Sequence, residues 1–187
     1  DSVHRGLNQS FSVQGDTLIF DNGKKIVFTS HKNPAEIPWG KYGVEIVVES
    51  TGIFRSREKA ELHLQGGAKK VVISAPAQGD DVPSVVLGVN EEILSSPSTV
   101  ISNASCTTNS AAPMIKVIND FCDVESAYIT TVHSYTSDQR LQDAPHSDLR
   151  RARGAAQSIV PTTTGAAKAL TKIFPNLVMG GCGIRVP

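Results

Sequence analysis

The sequence predicts an α/β fold organised on a short parallel β-sheet, and the order of its apolar runs is the main reason. Short β-branched runs recur between residues 44 and 102, and a helix-compatible segment separates the first two of them. A strand, a helix and a second strand in this order form a βαβ unit, in which the two strands run parallel. After residue 105 the pattern changes to a longer helix and isolated strands. We therefore predict two parts, with a parallel-sheet domain in residues 1–105 and an α+β domain in residues 106–187.

The first forty residues are polar and rich in β-forming side chains. The sequence Asp21-Asn22-Gly23 separates the apolar runs at 17–20 and 26–28. Asparagine and glycine accept the left-handed backbone of tight turns, so this segment predicts a β-hairpin. Two prolines then interrupt regular structure, and Trp39 is expected to pack beneath the following loop.

The predicted parallel sheet begins with a strand at 44–50 and continues after a helix at 56–65, which Gly66 and Gly67 end. Further β-branched runs predict strands at 70–74, 85–89 and 99–102. Several strands end in small or polar residues, at 50–52, 74–76 and 102–103. Because ligands bind outside the carboxyl ends of the strands in open α/β sheets, we expect these ends to face one crevice.

Cys106 lies where the last of these strands gives way to a helix. Apolar residues recur at helical spacing after it, namely Met114, Ile115, Val117, Ile118 and Phe121. Unpaired amides and the positive end of a helix dipole favour the thiolate form of a cysteine in this position, and the thiolate is the nucleophile. Because proline suits a first helical turn, Pro113 leaves two possibilities open: the helix starts as late as Asn109, or it bends at the proline.

A histidine and a group of anion-binding residues follow. A strand predicted at 128–132 leads to His133, and a Cys/His pair suits nucleophilic catalysis, in which a base activates a thiol for attack on a carbonyl. The polar stretch 134–154 contains four arginines and is too long for a mere connector. Thr164 and Gly165 precede an alanine-rich segment, so we expect an anion site at a helix N-terminus there.

The composition argues against several classes of function. The 18 Lys and Arg residues balance 18 Asp and Glu residues, so there is no net charge to recruit nucleic acid or an anionic membrane. The three cysteines are an odd number without zinc-ligand spacing, which argues against a zinc site or a disulfide framework and favours a reducing compartment. We therefore expect small-molecule partners, no bound metal, no membrane association and a cytoplasmic location.

Three motifs, in the same order, resemble those of the glyceraldehyde-3-phosphate dehydrogenase family. They are Ser-Asn-Ala-Ser-Cys-Thr-Thr-Asn at 102–109, Thr-Val-His at 131–133 and Pro-Thr-Thr-Thr-Gly-Ala-Ala-Lys-Ala at 161–169. The resemblance extends from Asp1 to Pro187. One departure is Ser110, where many family members carry a second cysteine. That position is not the nucleophile, so the difference bears on thiol oxidation and not on catalysis.

The resemblance implies an incomplete Rossmann-type domain for NAD at 1–105 and part of a catalytic domain at 106–187. The glycine-rich pyrophosphate motif and its ribose-binding acidic residue are not found in the sequence before the predicted sheet. We therefore expect a partial chain, which lacks the family's first βαβ unit and its last catalytic strands and is inactive when expressed alone. The full-length protein is expected to be a homotetramer.

The implied reaction is the phosphorylating oxidation of D-glyceraldehyde 3-phosphate. By resemblance, Cys106 adds to the aldehyde to give a thiohemiacetal, His133 accepts the proton as hydride leaves for the nicotinamide, and inorganic phosphate attacks the resulting thioester. The matching residues are Thr136, Arg151 and Arg185 for the substrate phosphate, and Ser105, Thr107, Thr164 and Gly165 for inorganic phosphate. The family's spacing varies near Arg151, so Arg150 or Arg153 could fill its role.

The resemblance also indicates the cofactor residues. They are Ser50, Thr51, Gly52, Phe54 and Ser74. The pair Ala144-Pro145 is intermediate between two family patterns. NADP-using relatives often have Ala-Ser at this place, and strict NAD users have Leu-Pro. The proline favours NAD, and NADP is left open.

Three other interpretations stay open at this stage. A cysteine hydrolase of another family would use a Cys/His pair without nicotinamide. Erythrose-4-phosphate dehydrogenase shares much of the pattern, although Ser134-Tyr135-Thr136 and the segment 162–165 are more similar to the glyceraldehyde-3-phosphate enzyme. A non-catalytic fragment would bind nucleotide without turnover.

Overall fold

The computed structural model describes residues 3–187, so Asp1 and Ser2, where the predicted resemblance begins, lie outside the described residues. The strands are β1 (Phe11–Gln14), β2 (Thr17–Phe20), β3 (Lys25–Val27), β4 (Ile46–Glu49), β5 (Lys70–Ile73), β6 (Val100–Ser102), β7 (Ser126–Ser134), β8 (Val160–Thr162) and β9 (Val178–Val186). The α-helices are α1 (Arg57–Ala60), α2 (Leu62–Gln65), α3 (Cys106–Phe121) and α4 (Ala166–Ile173). Short 3-10 helices lie at Pro34–Glu36, Trp39–Tyr42 and Glu91–Ser95.

The N-terminal strands form an antiparallel sheet in the order β1-β2-β3. The predicted hairpin is confirmed, because β2 pairs with β3 across the Asp-Asn-Gly turn. Gly23 has a φ of +80° in that turn, a backbone conformation that glycine adopts without steric cost.

The second sheet is parallel, in the order β4-β5-β6, and it confirms the predicted βαβ unit. The helix predicted at 56–65 is present as the two short helices α1 and α2, which begin after Ser56. The Ser56 hydroxyl accepts a hydrogen bond from the backbone N–H of Lys59, as an N-cap residue does. Gly66 is the C-cap of the segment, and glycine is required there because a Cβ would lie 2.3 Å from the carbonyl oxygen of Ile37.

The prediction of a strand at 85–89 is wrong. The chain makes one isolated parallel bridge at Ser84 and then turns. Asn90 holds this turn, because its side chain accepts from the N–H of Val86 at 2.8 Å and donates to the carbonyl of Ser84 at 2.9 Å. Gly88 has a φ of +78°, which is incompatible with a continuing strand. Val85 and Val86 are therefore buried in a loop, whereas Leu87 is exposed.

The helix predicted after β6 begins at Cys106 itself. The Ser105 hydroxyl accepts from the N–H of Thr108 at 3.0 Å, so Ser105 is the N-cap. This finding excludes the later start at Asn109 and leaves Pro113 inside the helix. The cysteine is consequently the first helical residue, at the end where backbone N–H groups have no partner within the helix.

The third sheet has the order β7-β9-β8, with β7 parallel to β9 and β8 antiparallel to it. The strand predicted at 128–132 is confirmed and is longer, so that His133 lies inside β7. Strand β9 was not predicted, because its glycines mask a β pattern. Gly180 lies against the Tyr128 ring of β7, 2.9 Å from the position that a Cβ would take, so only glycine fits there.

Two apolar clusters hold these parts together. One lies on the parallel sheet and is formed by Ala60, Val71, Ile73, Val82 and Val100. The other joins α3 to α4 and is formed by Val86, Ala104, Ala111, Ala112, Ile115, Leu170 and Leu177. The second cluster fixes the start of α3 relative to α4 and to the sheet that carries His133. Within residues 3–187, no helix is both long enough and apolar enough to cross a membrane.

Candidate active site

The Cys106 thiol lies beside the His133 ring. Its Sγ atom is 3.2 Å from Nε2 of His133, although the two residues are 27 positions apart in the sequence. The turn that carries Cys106 is fixed from below by Ser102, whose hydroxyl donates to the carbonyl of Ala75 at 2.7 Å and accepts from the N–H of Ala104 at 3.0 Å. Ala104 has a φ of +55°. This left-handed residue turns the chain from β6 into α3.

The other ring nitrogen of His133 determines what Nε2 can do. Nδ1 lies 2.7 Å from the carbonyl oxygen of Ser134. A carbonyl oxygen can only accept a hydrogen bond, so Nδ1 carries a proton. In the neutral ring Nε2 then presents its lone pair to the Cys106 thiol and can accept the thiol proton. The pair has the geometry of a nucleophile and its base.

A cavity of about 180 Å³ opens at this pair. It brings together most of the predicted substrate-binding residues, namely Ser105, Thr107, Arg151, Thr164, Gly165 and Arg185, with Cys106 and His133. The side chains of β7 alternate between the two faces of its sheet, which places Thr131 on the same face as His133. Thr136 is not among the residues that line this cavity.

Of the three candidate arginines, Arg151 lines the cavity. Its Nε and Nη2 donate to the Thr162 hydroxyl at 3.0 and 2.8 Å, and its Nη1 pairs with the carboxylate of Asp138. Asp148 lies 3.7 Å from the same guanidinium. Arg153 instead pairs with Asp143 at 2.9 Å on the surface. Arg151 is therefore a half-buried, oriented cation, and Arg153 is an exposed one.

The remaining predicted anion-binding groups come from the third sheet and from α4. Arg185 lies opposite His133 in the register of β9 and β7, and its Nη1 donates to the Ser134 carbonyl at 3.2 Å. Gly165 is the N-cap residue of α4, and the Thr164 hydroxyl accepts from the N–H of Ala166 at 3.2 Å. Hydroxyl, amide and guanidinium donors thus converge on one cavity, and donors of this kind bind phosphate.

The predicted cofactor residues lie apart from this cavity, at the carboxyl ends of β4 and β5. Ser50, Thr51, Gly52 and Ser74 are exposed there, and Phe54 is half-buried. Gly52 has a φ of +76° with open space where a Cβ would point. Exposed hydroxyls and a left-handed glycine at the ends of parallel strands form an edge of the kind that binds dinucleotides.

Sequence reasoning missed a buried polar cluster beneath that edge. Glu49 and His63 are only 3% and 4% exposed, and His63 Nε2 lies 2.8 Å from Glu49 Oε2. Burial acts to raise the pKa of Glu49, but hydrogen bonds from Thr51 and His63 outweigh it, so this pKa is lowered from its ordinary value. The only signal in the sequence was a glutamate on the buried face of an apolar strand, two residues after Val47.

A Rossmann-type parallel sheet, together with a Cys/His pair formed between the start of α3 and β7, is typical of nucleotide-dependent oxidoreductases. Residues 1–57 match the family model described as glyceraldehyde 3-phosphate dehydrogenase, NAD binding domain. Residues 105–187 match the model of the C-terminal domain of the same enzyme. The first of these matches supports NAD as the cofactor.

Individual relatives agree with the family models. The chain is 52% identical over 190 residues to glyceraldehyde-3-phosphate dehydrogenase 1 of Bacillus subtilis, covering 100% of this chain and 56% of the relative. It is 54% identical over 173 residues to the enzyme of Thermotoga maritima, covering 92% and 51%. The Geobacillus stearothermophilus enzyme is 52% identical over 190 residues, covering 100% and 56%.

The chain therefore belongs to the glyceraldehyde-3-phosphate dehydrogenase family and is a partial chain of it. It spans about half the length of the curated relatives it matches.

Proposed function

We propose that the full-length protein containing this chain catalyses the phosphorylating oxidation of D-glyceraldehyde 3-phosphate to 1,3-bisphosphoglycerate with NAD. The contact of 3.2 Å between the Cys106 thiol and the His133 ring, in a cavity lined by hydroxyl and guanidinium groups, carries this proposal. All three matched relatives named above are glyceraldehyde-3-phosphate dehydrogenases. Their names favour this activity over that of erythrose-4-phosphate dehydrogenase, a cysteine hydrolase or a non-catalytic fragment.

In this mechanism Cys106 is the nucleophile. His133 Nε2 takes the thiol proton, and the sulfur forms a bond to the aldehyde carbon, which gives a thiohemiacetal. His133 returns this proton to the oxygen of the intermediate and takes it back as hydride leaves during oxidation. The backbone N–H of Cys106 lies in the first turn of α3, where it has no intrahelical partner and can stabilise the developing oxyanion.

The phosphate groups are bound by the donors that line the cavity. We assign Arg185 and Arg151, which line the cavity, to the phosphate of the substrate, and with them Thr136, which lies outside that lining. We assign Ser105, Thr107, Thr164 and Gly165 to inorganic phosphate, which attacks the thioester carbon and releases Cys106. The position of Arg185 opposite His133 in the sheet supports a substrate that extends from the thiol towards this arginine.

The edge formed by Ser50, Thr51, Gly52, Phe54 and Ser74 would hold NAD. When bound there, NAD supplies the acceptor for the hydride of the thiohemiacetal. The open space at Gly52 and the exposed hydroxyls beside it are suited to close approach by a nucleotide.

We further propose that the full-length protein is a cytoplasmic homotetramer, with the boundary between its two domains at residues 105 and 106. The abrupt change there, from the parallel sheet into α3, supports this boundary.

The direct test is NADH formation by the full-length protein with D-glyceraldehyde 3-phosphate, NAD and phosphate. Cys106→Ser should abolish NADH formation and leave NAD binding intact, while Cys122→Ser, which changes another exposed cysteine, should leave turnover unchanged. Turnover that persists in the Cys106 variant, or a dependence on erythrose 4-phosphate instead, would refute the proposal.

A further inference from the structure

A chain of hydrogen bonds, buried at its centre, runs from Trp39 to the turn after β4. The Trp39 indole lies 3.2 Å from Nδ1 of His63, and Nε2 of His63 lies 2.8 Å from Glu49 Oε2. The other carboxylate oxygen, Oε1, accepts the backbone N–H of Thr51 at 2.7 Å and is in hydrogen-bond contact with the Thr51 hydroxyl. That hydroxyl in turn accepts from the N–H of Ile53 at 3.1 Å.

The donors at the two ends, the Trp39 indole N–H and the Ile53 N–H, indicate the direction of the bonds in this chain. An indole N–H can only donate, so Nδ1 of His63 must accept and carries no proton. The ring is then neutral with its proton on Nε2, which donates to Glu49. Since the Thr51 hydroxyl already accepts from Ile53, its own proton is free to donate to Glu49 Oε1. Glu49 therefore accepts from both sides, which requires an ionised carboxylate.

This carboxylate controls the turn that it lies beneath. Its bonds to Thr51 set the position of the backbone immediately before Gly52. Gly52 has a φ of +76°, and as a glycine it could adopt several other conformations. We propose that Glu49 and His63 are positioning residues, which hold the turn at 50–52 in the conformation that binds the dinucleotide. This inference rests on the proposed function, because the cofactor role of that turn is part of it.

Glu49→Gln is the most informative change, because it keeps the shape and removes one acceptor. Any orientation of the new amide points its NH₂ group at a donor, either at Thr51 or at Nε2 of His63. The turn should therefore lose part of its support, and the Kd of the full-length enzyme for NAD should rise about 10- to 100-fold. Glu45→Gln is the matched control, because Glu45 is exposed and pairs with exposed Lys69. Its effect on the Kd should stay within about 2-fold.

The histidine offers a second pair of variants. Glutamine in place of His63 keeps one donor and one acceptor, whereas leucine keeps neither. We expect His63→Leu to weaken NAD binding and His63→Gln to retain most of the wild-type affinity. Loss with leucine and rescue with glutamine would separate positioning from simple packing. Equal affinity of the two variants would overturn the role of His63.

The decisive measurements are the NAD Kd by calorimetry, kcat at saturating NAD, and the rate at which iodoacetamide alkylates Cys106 without NAD. For Glu49→Gln the inference predicts a raised Kd with the other two quantities within about 2-fold of wild type. An unchanged Kd, or an equal fall in kcat and alkylation, would overturn the inference while the proposed function stands. A wild-type enzyme that binds no NAD would overturn both.

Discussion

The two buried or half-buried histidines of the proposed sites, His63 and His133, differ in the partner of Nδ1. In His133 this nitrogen faces a carbonyl oxygen, so it holds a proton and leaves Nε2 free to act as a base towards Cys106. In His63 it faces an indole N–H, so it holds none, and Nε2 becomes a donor to Glu49. The same type of side chain therefore acts as a base at position 133 and as a positioning hydrogen-bond donor at position 63. The comparison teaches that the second nitrogen of a histidine decides the role of the first.

The largest effect should follow from removing the base. In the full-length enzyme, asparagine in place of His133 cannot accept the thiol proton, and kcat/KM for the aldehyde should fall by about 10²- to 10⁴-fold. The rate of NADH formation, followed by absorbance, gives kcat and kcat/KM. His63→Gln should leave kcat at saturating NAD near the wild-type value. A comparable fall in kcat for the two variants would remove the functional distinction between the two histidines.

A second prediction concerns the cavity on the His133 side of the comparison. Arg151→Leu removes a guanidinium that lines it, and charge-assisted hydrogen bonds to phosphate contribute about 1.5 to 3 kcal/mol. The KM for the phosphorylated aldehyde should rise about 10- to 100-fold. Arg153→Leu, at the exposed neighbour, is the control and should change this KM by less than about 2-fold. A larger rise in KM for Arg153→Leu than for Arg151→Leu would assign the phosphate to Arg153.

The smallest effect concerns acid stability on the His63 side. Because the pKa of Glu49 is lowered in the folded protein, its contribution is fully present above the unfolded pKa of about 4.3 and is lost as the pH falls through the folded value. Glu49→Gln has no carboxylate to protonate. The stability deficit of the variant, which is the difference between its free energy of unfolding and that of the wild type, should therefore become smaller as the pH falls below about 4.3. Denaturant unfolding at several pH values measures this deficit, and a constant deficit would contradict the prediction.

Local sequence patterns predicted the features that depend on neighbouring residues. The hairpin at Gly23, the unit formed by β4 and β5, and the position of Cys106 at a helix start all follow from side chains a few residues apart. Strand β9 could not be predicted in this way, because Gly180 is required by Tyr128 of β7 and not by its own neighbours.

Side-chain hydrogen bonds, one set local and the other long-range, explain the other differences. The run at 85–89 has the composition of a strand, but the Asn90 side chain takes the hydrogen bonds that a strand would use. The bonds that join His63 to Glu49 and to Trp39 span 14 and 24 residues. Their geometry depends on how α2 packs beside β4, which no local pattern records. The resemblance to a known family indicated Cys106 and His133, but it gave no sign of the polar cluster under Thr51.

The protonation states of the two histidines test the central comparison most directly. A neutron crystal structure of the full-length, deuterium-exchanged enzyme at neutral pH locates the deuterium atoms on both rings. We predict deuterium on Nδ1 of His133, and for His63 deuterium on Nε2 with none on Nδ1. This result holds whether or not the Cys106 proton has moved to His133, because that transfer changes only Nε2. Deuterium on Nδ1 of His63, or its absence from Nδ1 of His133, would contradict the assignment of His63 as a positioning donor and of His133 as the base.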